Sequence, residues 1–356
     1  MLGILTLLLT VAGVIMYCWK KSHPKAPPNT QHQPELSASN TKKRFCFIIN
    51  PSKPGANDAV RLIEHVCKRD GISDYSIKET TVEHPGNLQA KEAIEEGSEV
   101  IVACGGDGTV RSVACQVAKY ADKEQEVEVG ILPLGTGNIL ARNLNIPLDD
   151  LAAALDICLR ASSSPLDLGF VKLLEQPDFE HVFTIIAGVG FDADMINNTS
   201  DKLKSRISWF AYFASGLKSL SARKVKARII IEKAGGGNLE ASTKLRTIMV
   251  GNVGKIPWFS LIPDAKYDDG ILDVVAIDTQ AGILGWSQLA IDVMLQKLSI
   301  KNNMRYKLGR IEHVQASWVQ VKLDRQRAIQ LDGDIIGKTS GMQVFVRKAA
   351  IQVRKV

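Results

Sequence analysis

Along residues 44–150, short apolar runs alternate with stretches whose apolar positions recur every three or four residues. Phe45-Cys46-Phe47-Ile48-Ile49, Tyr75-Ser76-Ile77, Glu99 to Cys104 and Val129-Gly130-Ile131-Leu132 read as strands. Asn57 to Lys68, Asn87 to Glu96, Val110 to Tyr120 and Ile139 to Leu144 read as helices. Strands alternating with helices predict a doubly wound α/β sheet. In such sheets ligands bind beyond the carboxyl ends of the strands, so the loops after Asn50, Cys104 and Leu132 should converge. Beyond Ser164 the pattern turns to β-rich runs at Val182 to Ile186, Arg228 to Glu232, Thr247 to Val250, Asp273 to Ile277 and Val319 to Leu323.

The first 19 residues, Met1 to Trp19, carry no charged side chain, and Lys20, Lys21 and Lys25 follow. At about 1.5 Å per residue that run is roughly 28 Å long, close to the ~30 Å hydrocarbon core of a bilayer. It predicts one transmembrane helix at 1–21, and the lysines place the remaining chain on the cytoplasmic side. No basic segment precedes the run and no Ala-x-Ala site follows it, which disfavours a cleaved signal peptide. Residues 22–43, rich in Pro, Gln, Asn and Ser, read as a flexible linker.

Composition adds little. Of 356 residues 45% are hydrophobic and 23% charged, an ordinary globular balance with room for two domains. The net charge of +6 suits an anionic partner without demanding one. The six cysteines include no Cys-x-x-Cys pair and read as reduced thiols of a cytosolic compartment. No Cys or His pair has zinc-finger spacing. Lys202 to Leu220 mixes Trp209, Phe210, Tyr212 and Phe213 with basic residues, as a segment touching a membrane surface or lining a lipid slot would, the plainer alternative being a buried amphipathic helix. No basic patch is interleaved with stacking aromatics at single-strand spacing, so nucleic acid is not expected as a partner.

The chemistry is concentrated in the loops. Gly105-Gly106-Asp107-Gly108-Thr109 lies between a strand and a helix, where glycines admit close backbone approach and helix N-terminal N–H groups suit phosphate oxygens. Asp107 would help a phosphate only with Mg²⁺ or a proton acceptor in play, and its plainer role is a helix cap. Pro133-Leu134-Gly135-Thr136-Gly137-Asn138 follows the next strand, and the two loops together would make a nucleotide cradle. The chain holds no G-x-x-x-x-G-K-[ST] loop, and Gly135-x-Gly137 lacks the third small residue of a dinucleotide fingerprint.

These motifs carry a resemblance. Asn50-Pro51-x-x-x-Gly55, the two glycine loops, Gly188-Val189-Gly190-Phe191-Asp192, Asp268-Asp269-Gly270-x-Leu272-Asp273 and Asp332-Gly333-Asp334 occur in the order found in the diacylglycerol kinase catalytic family, which the chain resembles from Arg44 to its C-terminus. That family includes bacterial lipid kinases, diacylglycerol kinases, sphingosine kinases and ceramide kinases. The resemblance implies an N-terminal doubly wound α/β nucleotide domain (44–164), a C-terminal β-sandwich domain for lipid (165–343) and a last strand (344–356) returning to the first.

It implies ATP held by Asn50, Gly105, Gly106, Asp107, Gly108, Thr109, Gly135, Thr136 and Asn138, with Thr80 or Thr81, between which the sequence does not choose. It further implies a Mg²⁺ held by Asp269 with the carbonyls of Lys266 and Ile271, the plainer alternative being a hairpin turn with solvated carboxylates. Asp107 would join a catalytic Mg²⁺ network. Asp334 stands where the family has the glutamate proposed as the base for the lipid hydroxyl, one methylene shorter. An Asp-Gly hairpin turn is the competing reading there. A membrane lipid, diacylglycerol first, is the implied acceptor, and a homodimer is among the implied assemblies. A sphingoid base or another lipid alcohol is the alternative acceptor. A NAD kinase and a non-catalytic lipid-binding regulator are the rival functions.

Overall fold

Five apolar residues, Phe45–Ile49, form β1, and every one of them is buried. In the computed structural model, which describes residues 43–121, 126–191, 224–254, 265–279 and 309–356, this strand lies at the centre of a parallel group. The chain continues through α1 (Ala56–Asp70), β2 (Tyr75–Glu79), α2 (Asn87–Glu95), β3 (Val100–Gly105), α3 (Asp107–Tyr120) and β4 (Glu128–Pro133). Ala59, Ile63, Val66 and Cys67 recur at helical spacing and turn one face of α1 to the core. Gly71 stops the helix, with φ 69° and its N–H on the last carbonyls. Two further helices follow, α4 (Ile139–Asn143) and α5 (Leu151–Arg160), the latter capped by the Asp150 side chain on Ala153 N–H.

The remaining strands are β5 (Ser163–Leu173), β6 (Gln176–Phe183), β7 (Ile186–Phe191), β8 (Val225–Lys233), β9 (Asn238–Leu245), β10 (Thr247–Gly251), β11 (Leu272–Thr279), β12 (Gly309–Leu331) and β13 (Asp334–Arg354). All thirteen belong to one sheet, whose main path runs β11-β10-β7-β12-β13-β4-β3-β1-β2. β2, β1, β3 and β4 pair in parallel, and β13 joins β4 in parallel through Gln352 and Val353. Beyond β13 every pairing is antiparallel.

This corrects the expected fold class. The architecture is a mixed α/β fold dominated by strands, and the parallel strands are one end of a continuous sheet, not a self-contained doubly wound domain set beside a β-sandwich. The reason is the length of β12 and β13, 23 and 21 residues. At about 3.3 Å per residue β13 extends for roughly 70 Å, enough to meet β12, β5 and β4 in turn. Register shifts between Lys322 and Arg327 and between Arg347 and Ile351 break the alternation of both strands, so the sequence shows only fragments of them.

The membrane expectation is corrected as well. Among the described residues no helix is long and apolar enough to cross a membrane. α1, the longest of them, has 15 residues where a span needs about 20. The single-pass topology, the partnership with a membrane through an N-terminal helix and the cytoplasmic placement built on it therefore lack structural support. Segments 1–21 and 22–42, and the aromatic stretch at Lys202 to Leu220, lie outside the described residues.

Candidate active site

β3 and β4 run side by side with Gly105 opposite Pro133, so both glycine loops leave the same edge of the sheet. Leu134 N–H donates to the Gly105 carbonyl at 2.9 Å and fixes one loop on the other. Their backbones nearly touch: a Cβ added at Gly135 would lie 2.6 Å from Gly106 Cα. Gly105 is equally constrained, since its Cβ would meet Thr109 Oγ1 at 2.5 Å. Asn138, at φ 46°, closes its own loop by accepting from Gly135 N–H at 3.0 Å and donating to the Gly135 carbonyl at 2.7 Å. Thr136 is exposed at the tip.

Asp107 caps a helix other than its own. α3 begins at Asp107 with no side-chain cap, while Asp107 Oδ1 accepts from Ile139 N–H at 2.7 Å, at the start of α4. Burial first, and the charge of Asp332 second, push the Asp107 carboxyl up to about 6, against the main-chain N–H groups of Ile139, Leu140 and Asn138 that favour its anion. Asn50, at the end of β1, donates to Thr109 Oγ1 at 3.3 Å and accepts from Ser52. The neighbouring Lys53 brings its Nζ over Gly106, 3.9 Å from where a Cβ there would stand. Thr80 is buried and its N–H bonds the Ile49 carbonyl; Thr81 is exposed and its hydroxyl accepts from His84 N–H.

The Asp332-Gly333-Asp334 stretch is a hairpin turn between β12 and β13, with Leu331 opposite Asp334 and positive φ at Asp332 (50°) and Gly333 (92°). Both residues therefore take the left-handed backbone that two-residue hairpin loops of type I′ use. The turn also lies against the first glycine loop. Asp334 Oδ2 would lie 3.4 Å from a Cβ at Gly108 and is 2.6 Å from Arg111 Nη2. Asp332 is buried, and its two oxygens accept from Thr184 N–H and Oγ1, Ile185 N–H and Ile186 N–H. Burial raises its carboxyl, and the Arg111 charge and these donors oppose the rise.

A hydrogen-bonded chain links this hairpin to the acidic turn at 268–270. Thr184, held by Asp332, accepts through its carbonyl from Asn252 Nδ2, which also donates to the Asp167 carbonyl. The Asp167 carboxylate then accepts from Gly270 N–H at 2.6 Å and from Ala349 N–H at 2.7 Å. Asp269 Oδ1 accepts from Ile271 N–H at 3.0 Å. Burial, and then the nearby Asp273 and Asp167 charges, raise the Asp269 carboxyl, with Lys266 opposing.

Among the described residues no group of three or more His, Cys, Asp or Glu side chains could hold a metal. A cation here would instead rest on Asp269 and main-chain carbonyls, an all-oxygen set that suits Mg²⁺. A cation would also offset the burial, and the lesser like charge, that raise the Asp269 carboxyl.

The loops thus bring together Asn50, Gly105 to Thr109, Gly135 to Asn138 and Asp334, with Asp269 tied in through Asn252 and Asp167. Sequence reasoning missed Lys53, Arg111, Asp167, Thr184 and Asn252. Three of these carried a signal: Asp167 interrupts the apolar run Leu166-Asp167-Leu168, Asn252 sits between glycine and valine after a strand, and Arg111 follows Asp107 by one helical turn.

Comparison with known proteins agrees with this geometry. The model of the diacylglycerol kinase catalytic domain matches residues 44–171. The "Diacylglycerol kinase" of Staphylococcus aureus strain MRSA252 is 30% identical over 241 residues, covering 67% of this chain and 71% of that one. Its counterpart in strain JH9 is 32% identical over the same coverage. The crystal structure of a diacylglycerol kinase from Bacillus anthracis str. Sterne superposes with a TM-score of 0.68 at 20% identity, over 88% of this chain and 97% of that one, a likeness of fold. With ordered motifs, shared fold and an identity of 30% over two thirds of both chains, the protein belongs to the diacylglycerol kinase catalytic domain family, alongside the bacterial lipid kinases.

Proposed function

We propose that the chain transfers the γ-phosphate of ATP to the hydroxyl of a lipid, with diacylglycerol as the acceptor. The observation that supports this best is the seating of Asp334, from the strand-rich second half, against Gly108 in the glycine loop of the first half. A phosphate donor and a proton acceptor then face one another across a single contact.

In this reading residues 44–164 hold the nucleotide and 165–343 the lipid. The loop from Gly105 to Thr109 and the loop of Gly135, Thr136 and Asn138 cradle the phosphates, and Lys53 adds a cation above Gly106. Asn50 and Thr80 or Thr81 line the same pocket. The lipid oxygen bonds to the γ-phosphorus as its bond to the bridging oxygen breaks, ADP leaves, and the hydroxyl proton passes to the Asp334 carboxylate. Asp107 keeps the two loops in register through Ile139 N–H and would join the Mg²⁺ network when the ion is bound. When bound, Mg²⁺ neutralises phosphate charge, and Asp269 with the Lys266 and Ile271 carbonyls would hold a structural ion.

The test is to incubate the full chain with radiolabelled ATP, Mg²⁺ and a panel of micellar lipid alcohols. Label in phosphatidic acid supports diacylglycerol as acceptor, and label in a phosphorylated sphingoid base names the other class. Transfer to NAD, or ATP binding with no labelled lipid, would overturn the proposal.

A further inference from the structure

Resting on that reading of the site, we propose that Arg111 is a positioning residue for Asp334: its guanidinium sets the carboxylate over the glycine loop, where the acceptor hydroxyl meets it. Asp334 is the first residue of β13, and its side chain is 61% exposed. An exposed aspartate with only the turn behind it would sample several rotamers. It is also short, so its reach to the hydroxyl depends on direction.

Arg111 supplies the direction. Its Nη2 donates to Asp334 Oδ2 at 2.6 Å, and its Nη1 donates to the Leu331 carbonyl. Leu331 and Asp334 are the pair that closes the hairpin, so one guanidinium grips both strands at the mouth of the turn. Arg111 itself is only 16% exposed and stands on α3, the helix that opens with the glycine loop. The carboxylate is therefore referenced to the helix whose N-terminus faces the phosphates.

Two features separate this from an ordinary surface ion pair. A pair with an exposed carboxylate adds little stability, so the arrangement acts chiefly on geometry. A planar fork with two donors aimed at two acceptors fixes orientation, which a lysine ammonium does less well. The Arg111 charge is also felt by Asp332 and His181, whose carboxyl and imidazole it favours in the anionic and neutral forms. One guanidinium thus orients the Asp334 carboxylate and also acts on the charge of Asp332, the other acid of the turn.

The test compares wild type, Arg111→Ala, Arg111→Lys and Asp334→Asn in the full chain, with diacylglycerol micelles and labelled ATP, alongside ATP affinity by equilibrium dialysis and thermal melting. The expected result is a kcat about tenfold to a hundredfold lower in Arg111→Ala, with ATP affinity within about twofold of wild type. Arg111→Lys should recover part of kcat, and Arg111→Ala should cost nothing further on the Asp334→Asn background. An unchanged kcat, a loss of ATP affinity in step with kcat, or a collapse of melting in both Arg111 variants would overturn the proposal. A wild-type chain that labels no lipid would overturn the kinase reading and this inference with it; a labelling wild type with an indifferent Arg111→Ala overturns this inference alone.

Discussion

Asp107 accepts the main-chain N–H of Ile139 at 2.7 Å, so the acid of one glycine loop caps the helix that opens from the other. The two loops are consequently a single unit whose geometry depends on one buried carboxyl. Its neighbour in charge is Asp332, from the hairpin that brings Asp334 to the site. The ionisation of Asp107 is thereby coupled to both sides of the proposed reaction centre.

The burial of that carboxyl, and secondarily the Asp332 charge, make its contribution to stability fall with rising pH. The folded-state value of about 6 lies above the 3.8 of an ordinary aspartate, so the folded protein holds the proton where the unfolded chain has lost it. The contribution is fully present below about pH 4 and is lost as pH rises through 6. A loss on the order of 2–3 kcal/mol is expected across that window. Urea unfolding of wild type and Asp107→Asn between pH 4 and 7 checks it, and the slope should flatten in the variant.

Gly135→Ala should impair nucleotide binding more than folding. The added methyl would lie 2.6 Å from Gly106 Cα, a backbone atom that cannot rotate away. Separating the loops costs about 1–3 kcal/mol, and that cost falls on the cradle, not the core. Calorimetric titration with ATP should show affinity lowered by about tenfold or more, with cooperative melting retained.

The parallel strands and the glycine loops were legible because their signals are local. Phe45 to Ile49 is apolar without interruption, and the glycine motifs announce close backbone contact at fixed offsets. The strand-rich half was less legible because its pairing is distant. Val182 to Ile186 reads as one strand but straddles a break between β6 and β7, where Thr184 turns to Asp332, 148 residues away. β9 carries charge or amide at Asn238, Glu240 and Lys244 and exposes much of its length, so no apolar run betrays it. Nor could spacing reveal that α3 and β13 meet through Arg111 and Asp334, 223 residues apart.

Asn252→Ala should unlink the hairpin from the acidic turn. Asn252 is wholly buried and its Nδ2 bridges the carbonyls of Asp167 and Thr184. Truncation leaves two buried acceptors short of a donor, at about 1–3 kcal/mol. Because Asp167 also carries Gly270, the Mg²⁺ concentration for half-maximal rate should rise in the same variant. A titration of rate against Mg²⁺ separates this from simple destabilisation, which would lower the rate at every concentration alike.

Arg354→Met tests how the last strand is held. Arg354 is wholly buried in β13 and donates to Glu128 Oε2 at 2.7 Å and to the Cys158 and Leu159 carbonyls at 2.9 and 2.8 Å. It thereby fastens β13 to β4 and to the end of α5, where the parallel pairing of Gln352 and Val353 alone is short. Removing one partner of a buried ion pair costs about 3–5 kcal/mol, mostly from the charge left behind. Lys43 Nζ also reaches Glu128, at 2.9 Å, so the stranded carboxylate keeps one cation and the loss should sit at the lower end of that range. Adding Glu128→Gln to Arg354→Met should then recover part of the loss in urea unfolding. No recovery would mean that the two carbonyls, rather than the carboxylate, account for most of the anchoring.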